Sequence, residues 1–283
     1  MVDWPDTLVR EAAERRVVVF LGSGFSKAAV PELPTWGTLL NELAEKLQTK
    51  SSKVLVGKLI RQGRLLDAAE IITSGVNAPD LNNMLRARFQ LRPPPKEDIY
   101  NDLLQIDPKT IITTNYDELI EKNFDLYSGG ASSHSIRTQT SNSLLADLRS
   151  PVRSIVKLHG CITEIENIVL DRRSFFKAQA ENRGFFDIIR SLMTVNTVLF
   201  LGYSMSDPDI QLILENMNMS SSSTNPHYAL VPKFEHPSLR SACCETYNTT
   251  FLEYPKGDHG KFPIALAQLK DQVKQMRIKL GIP

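Results

Sequence analysis

Apolar residues in this chain fall into two patterns. Short, mostly apolar or β-branched runs stand at Val17–Leu21, Thr110–Thr113, Ile155–Leu158, Val198–Leu201, Tyr228–Val231 and Thr250–Leu252. A strand covered on both faces shows no polar alternation, so these runs read as buried strands. Between them apolar residues recur every three or four positions, the spacing of a helix with one buried stripe. That spacing predicts helices over 6–15, 23–29, 53–61, 64–73, 79–89, 97–105, 116–124, 184–195, 207–218, 237–246 and 260–280, and another opened by Thr35 that carries Leu39, Leu40, Leu43 and Leu47. Asp6 is read as the cap of the first of them. Strands alternating with helices imply an α/β protein built on a doubly wound parallel sheet. Residues 36–107 carry only the helical pattern, so they read as a helical insertion after the first strand of one domain spanning 1–283. Pro93-Pro94-Pro95 separates its last two helices.

Two segments carry two readings each. Val30-Pro31-Glu32-Leu33-Pro34-Thr35 is a proline-broken loop beside the first strand end, either a lid or a plain connector. The last helix places Phe262, Leu266, Leu269, Val273, Met276 and Leu280 on one narrow stripe, suited to packing on the sheet or to a helix-to-helix seam between subunits. Ser220–Ser223 reads as a surface loop.

Composition narrows the functional classes. The chain has 283 residues, 42% hydrophobic and 23% charged, with a net charge of +1 and no basic tract. Direct nucleic-acid binding is therefore not expected. No apolar run is long enough to cross a bilayer, and the first residues lack the pattern of a signal peptide, so no membrane partner and a cytoplasmic location are expected. Cys161, Cys243 and Cys244 make neither a disulfide framework nor a C-x-x-C zinc pair, and no metal is expected.

The chemistry sits where the strand patterns stop. The first strand runs into Gly22-Ser23-Gly24 and then a helix. Glycines there let the backbone approach an anion, and the helix start offers N–H groups and a positive dipole end, which together suggest a nucleotide phosphate site. A dehydrogenase would next show a second strand ending in an acidic residue; the helical insertion stands there instead, which argues against hydride transfer. Three further strands end in Thr114-Asn115-Tyr116-Asp117, in His159-Gly160 and in Gly202-Tyr203-Ser204 followed by Ser206-Asp207-Pro208-Asp209. Asn115, Asp117 and Asp207 could each cap a helix, and His159 could be a turn histidine. In a doubly wound sheet, however, all four strand ends face one crevice, where ligands bind.

These four segments resemble sirtuins. Gly22-Ser23-Gly24-Phe25-Ser26 is similar to their glycine loop, Thr114-Asn115-Tyr116-Asp117 to their Gln-Asn-Ile-Asp, Leu158-His159-Gly160 to their His-Gly and Gly202-Tyr203-Ser204 to their Gly-Thr-Ser. The nearest forms are those of the sirtuin-like NAD hydrolases of prokaryotic antiviral defence. The resemblance spans roughly 17–35 and 110–210. It implies a Rossmann-like fold with NAD as substrate, cleaved to nicotinamide and ADP-ribose or a cyclised form. It assigns catalysis to Asn115, which orients water, and His159, a general base. NAD binding falls to Gly22, Ser23, Gly24, Phe25, Ser26, Thr114, Asp117, Gly202, Ser204 and Asp207, with the glycine loop on the pyrophosphate, Asp117 on the nicotinamide carboxamide, and Gly202, Ser204 and Asp207 on the adenosine ribose.

Two departures stand out. The zinc module that follows the His-Gly of sirtuin deacylases is absent, and Pro31-Glu32-Leu33-Pro34 has no counterpart of the arginine in their Pro-Asp-Phe-Arg loop. Protein deacylation or ADP-ribosyl transfer is therefore the alternative rather than the first expectation, and a non-catalytic NAD or ADP-ribose sensor is a second alternative. A free NAD hydrolase would poison its own cell, so restraint is expected from a homo-oligomer, from the insertion, or from a partner such as a HerA-type ATPase or an Argonaute-like protein.

Overall fold

The computed structural model describes residues 2–131, 133–203 and 226–282. Among these, seven strands form one all-parallel sheet: β1 Val17–Leu21, β2 Thr110–Thr113, β3 His134–Thr138, β4 Arg153–Lys157, β5 Thr197–Leu201, β6 His227–Pro232 and β7 Thr249–Tyr254. Their spatial order is β3-β4-β2-β1-β5-β6-β7. From β1 the sheet extends through β2, β4 and β3 on one side, the chain reaching edge strand β3 before it returns to β4, and through β5, β6 and β7 on the other. β1 is thus the point where the winding reverses, and ligands bind beyond the carboxyl ends of strands at such a point.

The alternation of β1 sorts the two faces. Val17, Val19 and Leu21 point into one core and Val18 and Phe20 into the other, all five buried. Helices Trp36–Ala44, Lys50–Arg61, Leu65–Gly75, Ala78–Phe89 and Asp98–Ile106 bring Leu39, Leu43, Val56, Ile72 and Phe89 into the same cluster as Val19 and Leu21. On the other face, helices Arg172–Glu181 and Arg183–Val195 bring Phe175, Phe185, Phe186 and Ile189 against Phe20 and Phe200. The doubly wound sheet expected from the sequence is the sheet observed, and among the described residues between β1 and β2 there is no strand.

The differences have local causes. β3 was not expected: His-Ser-Ile-Arg-Thr is polar and Ile136 is exposed, because β3 is an edge strand paired only with β4. Helix Arg172–Glu181 was also missed, although Asp171 and Ser174 close a reciprocal capping box at its start. The helix expected over 116–124 runs instead from Leu119 to Ser128, because residues 114–118 stay irregular and Asp117 accepts the Leu119 N–H at 3.1 Å. Asp6 is the first helical residue rather than the cap, which is Pro5. The stripe of helix Lys261–Leu280 is spent inside the chain: Phe262, Leu266, Leu269 and Val273 are buried and Met276 and Leu280 pack against the same core, leaving no subunit seam there. The helix expected over 207–218 and the serine run lie outside the described residues, as do Ser204 and Asp207.

Candidate active site

A cavity of about 820 Å³ opens at the carboxyl ends of β1, β2, β4 and β5 and extends to those of β6 and β7. Ser23, Gly24, Ser26, Thr114, Asn115, Asp117, His159 and Gly202 all line it. Sheet order explains this convergence, since adjacent parallel strands deliver their following turns to one edge. Of the remaining assigned residues, Gly22 lies behind this lining and Phe25 is fully buried, its ring edge-on to Tyr100 at 5.3 Å and to Phe262 at 5.9 Å.

The glycines serve backbone packing. A Cβ on Gly22 would come within 2.6 Å, and one on Gly24 within 2.7 Å, of the Gly202 carbonyl oxygen. Gly202 has φ +71° and its own Cβ would lie 2.2 Å from the Phe25 nitrogen. The Gly22 N–H donates to the Leu201 carbonyl at 3.0 Å and the Gly24 N–H to the Gly202 carbonyl at 2.9 Å. Those two donors hold the β1 and β5 turns together, and helix Ser23–Ala29 starts directly after Gly22.

Beside the loop is a buried hydrogen-bond relay. The Ser26 hydroxyl donates to Asp117 Oδ2 at 2.8 Å. Having given its one proton away, it can only accept from Asn115, whose Nδ2 lies 2.9 Å from it and 3.0 Å from the Gly22 carbonyl. Both amide hydrogens of Asn115 are thereby committed, so the group it can offer a ligand is its acceptor, Oδ1. The network thus settles which way the amide faces. Asn115 and Asp117 are both buried. Behind them the Tyr100 hydroxyl, fully buried, is pushed well above its ordinary range by burial and by the charge of Asp117. Thr114 shares a 2.7 Å hydrogen bond with the Tyr203 hydroxyl, another join between the β2 and β5 turns.

His159 is half-buried at the opposite wall. Its ring stands edge-on to Phe175 at 6.0 Å, and its carbonyl accepts the Val169 N–H at 3.0 Å. Gly160 makes the following turn with φ +83°, where a Cβ would meet the Asn167 carbonyl oxygen at 2.7 Å. Pro31, Leu33, Pro34 and Thr35 line the cavity, so the 30–35 loop is part of its wall, pinned by Lys27 Nζ to the Pro31 and Leu33 carbonyls at 3.2 Å each. Tyr203, Asp171, Tyr254 and His259 also line the cavity and were not singled out from the sequence. Tyr203 stands within a quoted motif, and Asp171 had the signal of its Asp-x-x-Ser capping box. Tyr254 and His259 carried none, because nothing local tells which residues close the far end of a crevice.

Asp171 belongs to a strap between the insertion and the segment after His159. Thr73 Oγ1 donates to Asp171 Oδ2 at 2.6 Å, Arg172 reaches Asp67 at 3.1 Å, and the Arg173 N–H reaches Glu70 Oε1 at 2.9 Å. Burial pushes the Asp171 carboxyl up, but hydrogen bonds from Ser174 and Thr73 outweigh it and hold the group below its ordinary value. Among the described residues no group of three or more His, Cys, Asp or Glu side chains could hold a metal ion, and no helix is long and apolar enough to cross a membrane.

Comparison with known proteins gives the family. The chain is 26% identical over 230 residues to an Enterococcus faecium protein named NAD(+) hydrolase ThsA, and 27% identical over 206 residues to a Cytobacillus dafuensis protein of the same name. It is 23% identical over 206 residues to Defense-associated sirtuin 2 of Bacillus subtilis. These alignments cover 79%, 73% and 70% of this chain but 45%, 39% and 19% of the respective relatives, so the chain spans less than half the length of each. Residues 109–252, from the start of β2 into β7 and about half of the sequence, match the family described as SIR2-like domain. On that match, and on a sheet whose strand ends bring Asn115 and His159 to one cavity, the chain belongs to the SIR2-like domain family.

Proposed function

We propose that this chain is an NAD hydrolase that cleaves the nicotinamide–ribose bond to give nicotinamide and ADP-ribose, and that it depletes NAD in antiphage defence. The observation that carries the reading is the relay from Asp117 through Ser26 to Asn115, which leaves one amide acceptor in a cavity shared with His159. Breaking the bond builds positive charge on the ribose ring and releases nicotinamide as a neutral base. Water adds to the anomeric carbon and loses a proton. Asn115 Oδ1 accepts from that water and orients it, His159 takes the proton directly or through a ribose hydroxyl, and Asp117 accepts a hydrogen bond from the nicotinamide carboxamide. Ser23, Gly24 and the Gly202 turn shape the wall against the dinucleotide, with Ser204 and Asp207 assigned to the adenosine ribose.

The relatives named NAD(+) hydrolase support this reading. Water is favoured as acceptor over an acylated peptide because the sequence lacks the paired C-x-x-C zinc module of sirtuin deacylases. We further propose that the protein acts in the cytoplasm as a homo-oligomer whose activity is held in check by assembly or by a separate partner. Its contacts between copies must use a surface other than the stripe of helix Lys261–Leu280.

The test is nicotinamide release from NAD by the purified chain, with Asn115→Ala and His159→Ala alongside and NAD binding followed by calorimetry. Loss of a positioned water or of a general base is expected to lower turnover by about 10²–10⁴-fold with binding retained. Absence of NAD binding to the unmodified chain would overturn the reading.

A further inference from the structure

One buried charge near the site has no part in the chemistry just described. Lys157 is the last residue of β4, two positions before His159, and its side chain is 0% exposed. Lysine is almost never fully buried unless paired, and removing an ammonium from water costs several kcal/mol. A methionine would fill the same volume without that cost. Lys157 shares the face of Ile155, where Ile111, Leu119, Ile120 and Phe124 form the core around it. The ammonium has three partners there. Glu121 Oε1 lies at 2.7 Å, itself buried on helix Leu119–Ser128. The Asp117 main-chain carbonyl accepts a second hydrogen bond. Cys161 Sγ, just past the His159-Gly160 turn, lies at 3.4 Å.

These partners belong to both halves of the site. Asp117 sits in the irregular segment 114–118 that presents Asn115, and Cys161 begins the segment that leaves His159. Segment 114–118 has no helical or strand ladder to hold it. It is anchored by the Thr113 hydroxyl on the Asn115 N–H at 3.0 Å, the Asp117 cap on Leu119 and the Ile162 N–H on the Tyr116 carbonyl at 2.8 Å. The ammonium supplies a further anchor at the residue where the other bonds turn toward helix Leu119–Ser128.

We propose that Lys157 is a positioning residue that, with Glu121, locks segment 114–118 against the His159 turn and so holds Asn115 at its working distance from the general base. The catalytic consequence rests on the NAD hydrolase reading; the mechanical claim does not. Burial pushes the ammonium toward neutrality, but Glu121, Cys161 and Asp117 outweigh it and hold its pKa above the ordinary range. Lys157 is shut off from solvent and does not line the cavity, and a shift of about 1 Å in the segment it holds is enough to cost about 10²-fold in rate.

Lys157→Met alone leaves the Glu121 carboxylate buried and uncompensated and is expected to unfold the chain in part. The informative variant is therefore Lys157→Met with Glu121→Leu, since replacing a buried ion pair by apolar groups of similar volume is often neutral or stabilising. Three measurements go together: thermal stability, hydrogen exchange of the amides of residues 114–119 against those of β1 and β5, and KM and kcat for nicotinamide release. Expected are unchanged or higher stability, exchange at 114–119 faster by at least about tenfold with β1 and β5 unaffected, and kcat lowered about 10–100-fold with KM within about threefold. A purely structural pair would move stability and leave the split between kcat and KM alone. Unchanged exchange at 114–119 in a stable double variant would overturn the proposal, as would faster exchange with full turnover. If the unmodified chain neither binds nor cleaves NAD, the hydrolase reading fails while the exchange measurement still decides whether Lys157 holds the segment.

Discussion

His227 opens β6 and is 6% exposed, and its Nδ1 accepts the Val198 N–H at 3.2 Å, a bond that only a neutral imidazole nitrogen can accept. Burial depresses its pKa from 6.5 to about 4. Between these values the unfolded chain binds a proton that the folded chain refuses, so stability contributed by the neutral ring is present above pH 6.5 and is lost as pH falls toward 4. The shift from 6.5 to about 4, at about 1.36 kcal/mol per unit, amounts to roughly 3.4 kcal/mol once both forms are saturated. Between pH 7 and pH 5 the linkage relation gives about 1.8 kcal/mol of that loss. With unfolding entropy near 2.1 cal/mol/K per residue, a chain of 283 residues changes its melting temperature by about 3 °C for this amount. His227→Gln keeps an acceptor for Val198 and cannot titrate. The assay is urea unfolding at pH 7, 6 and 5 for both proteins. The unmodified chain should lose about 1.8 kcal/mol more than the variant over that interval. Parallel slopes, or an imidazole resonance of His227 titrating near 6.5, would refute the argument that its burial excludes the proton.

Other perturbations test the site and its frame. Ser26→Ala removes the donor to Asp117 and the acceptor for Asn115, leaving buried polar groups short of a partner at about 1–3 kcal/mol. The expected result is turnover down about 10–100-fold with NAD affinity within about threefold, read by nicotinamide release and calorimetry; full activity would show that the Asn115 amide is held without the relay. Gly202→Ala adds a Cβ 2.2 Å from the Phe25 nitrogen at φ +71°. It should destabilise the chain by about 2–5 kcal/mol from overpacking and left-handed strain together, measured by urea unfolding, and a loss under about 1 kcal/mol would contradict the geometry. Thr73→Val keeps the shape of the strap but deletes its 2.6 Å bond to Asp171. A stability loss of about 1 kcal/mol is expected, together with faster proteolysis near 65–75, and unchanged protection there would show that the other contacts close the strap alone.

The strands were legible wherever the sheet buries them on both faces. β1 in particular is an unbroken apolar run because both of its faces meet helices. β3 was not legible, since an edge strand needs only one neighbour and can stay polar. The stretch between β1 and β2 was legible as helices because each carries its own stripe, whereas helix Arg172–Glu181 is polar over most of its surface and announces itself only by its cap. The site was legible as four polar strand ends. How its groups are used was not: the glycines at 22 and 24 suggested room for an anion, and the space they leave is filled by the Gly202 turn.

The sequence by itself determined the α/β class, the parallel sheet and the strand ends that carry polar chemistry, because burial and periodicity are written into neighbouring residues. Tertiary structure alone decided that Ser26 meets Asp117 across 91 positions and orients Asn115, that Thr73 straps the insertion to Asp171 across 98, and that a lysine inside an apparently ordinary strand becomes a buried lock against Glu121. Those pairings depend on which strands become neighbours, and strand order is settled by the packing of the whole chain rather than by any local pattern along it.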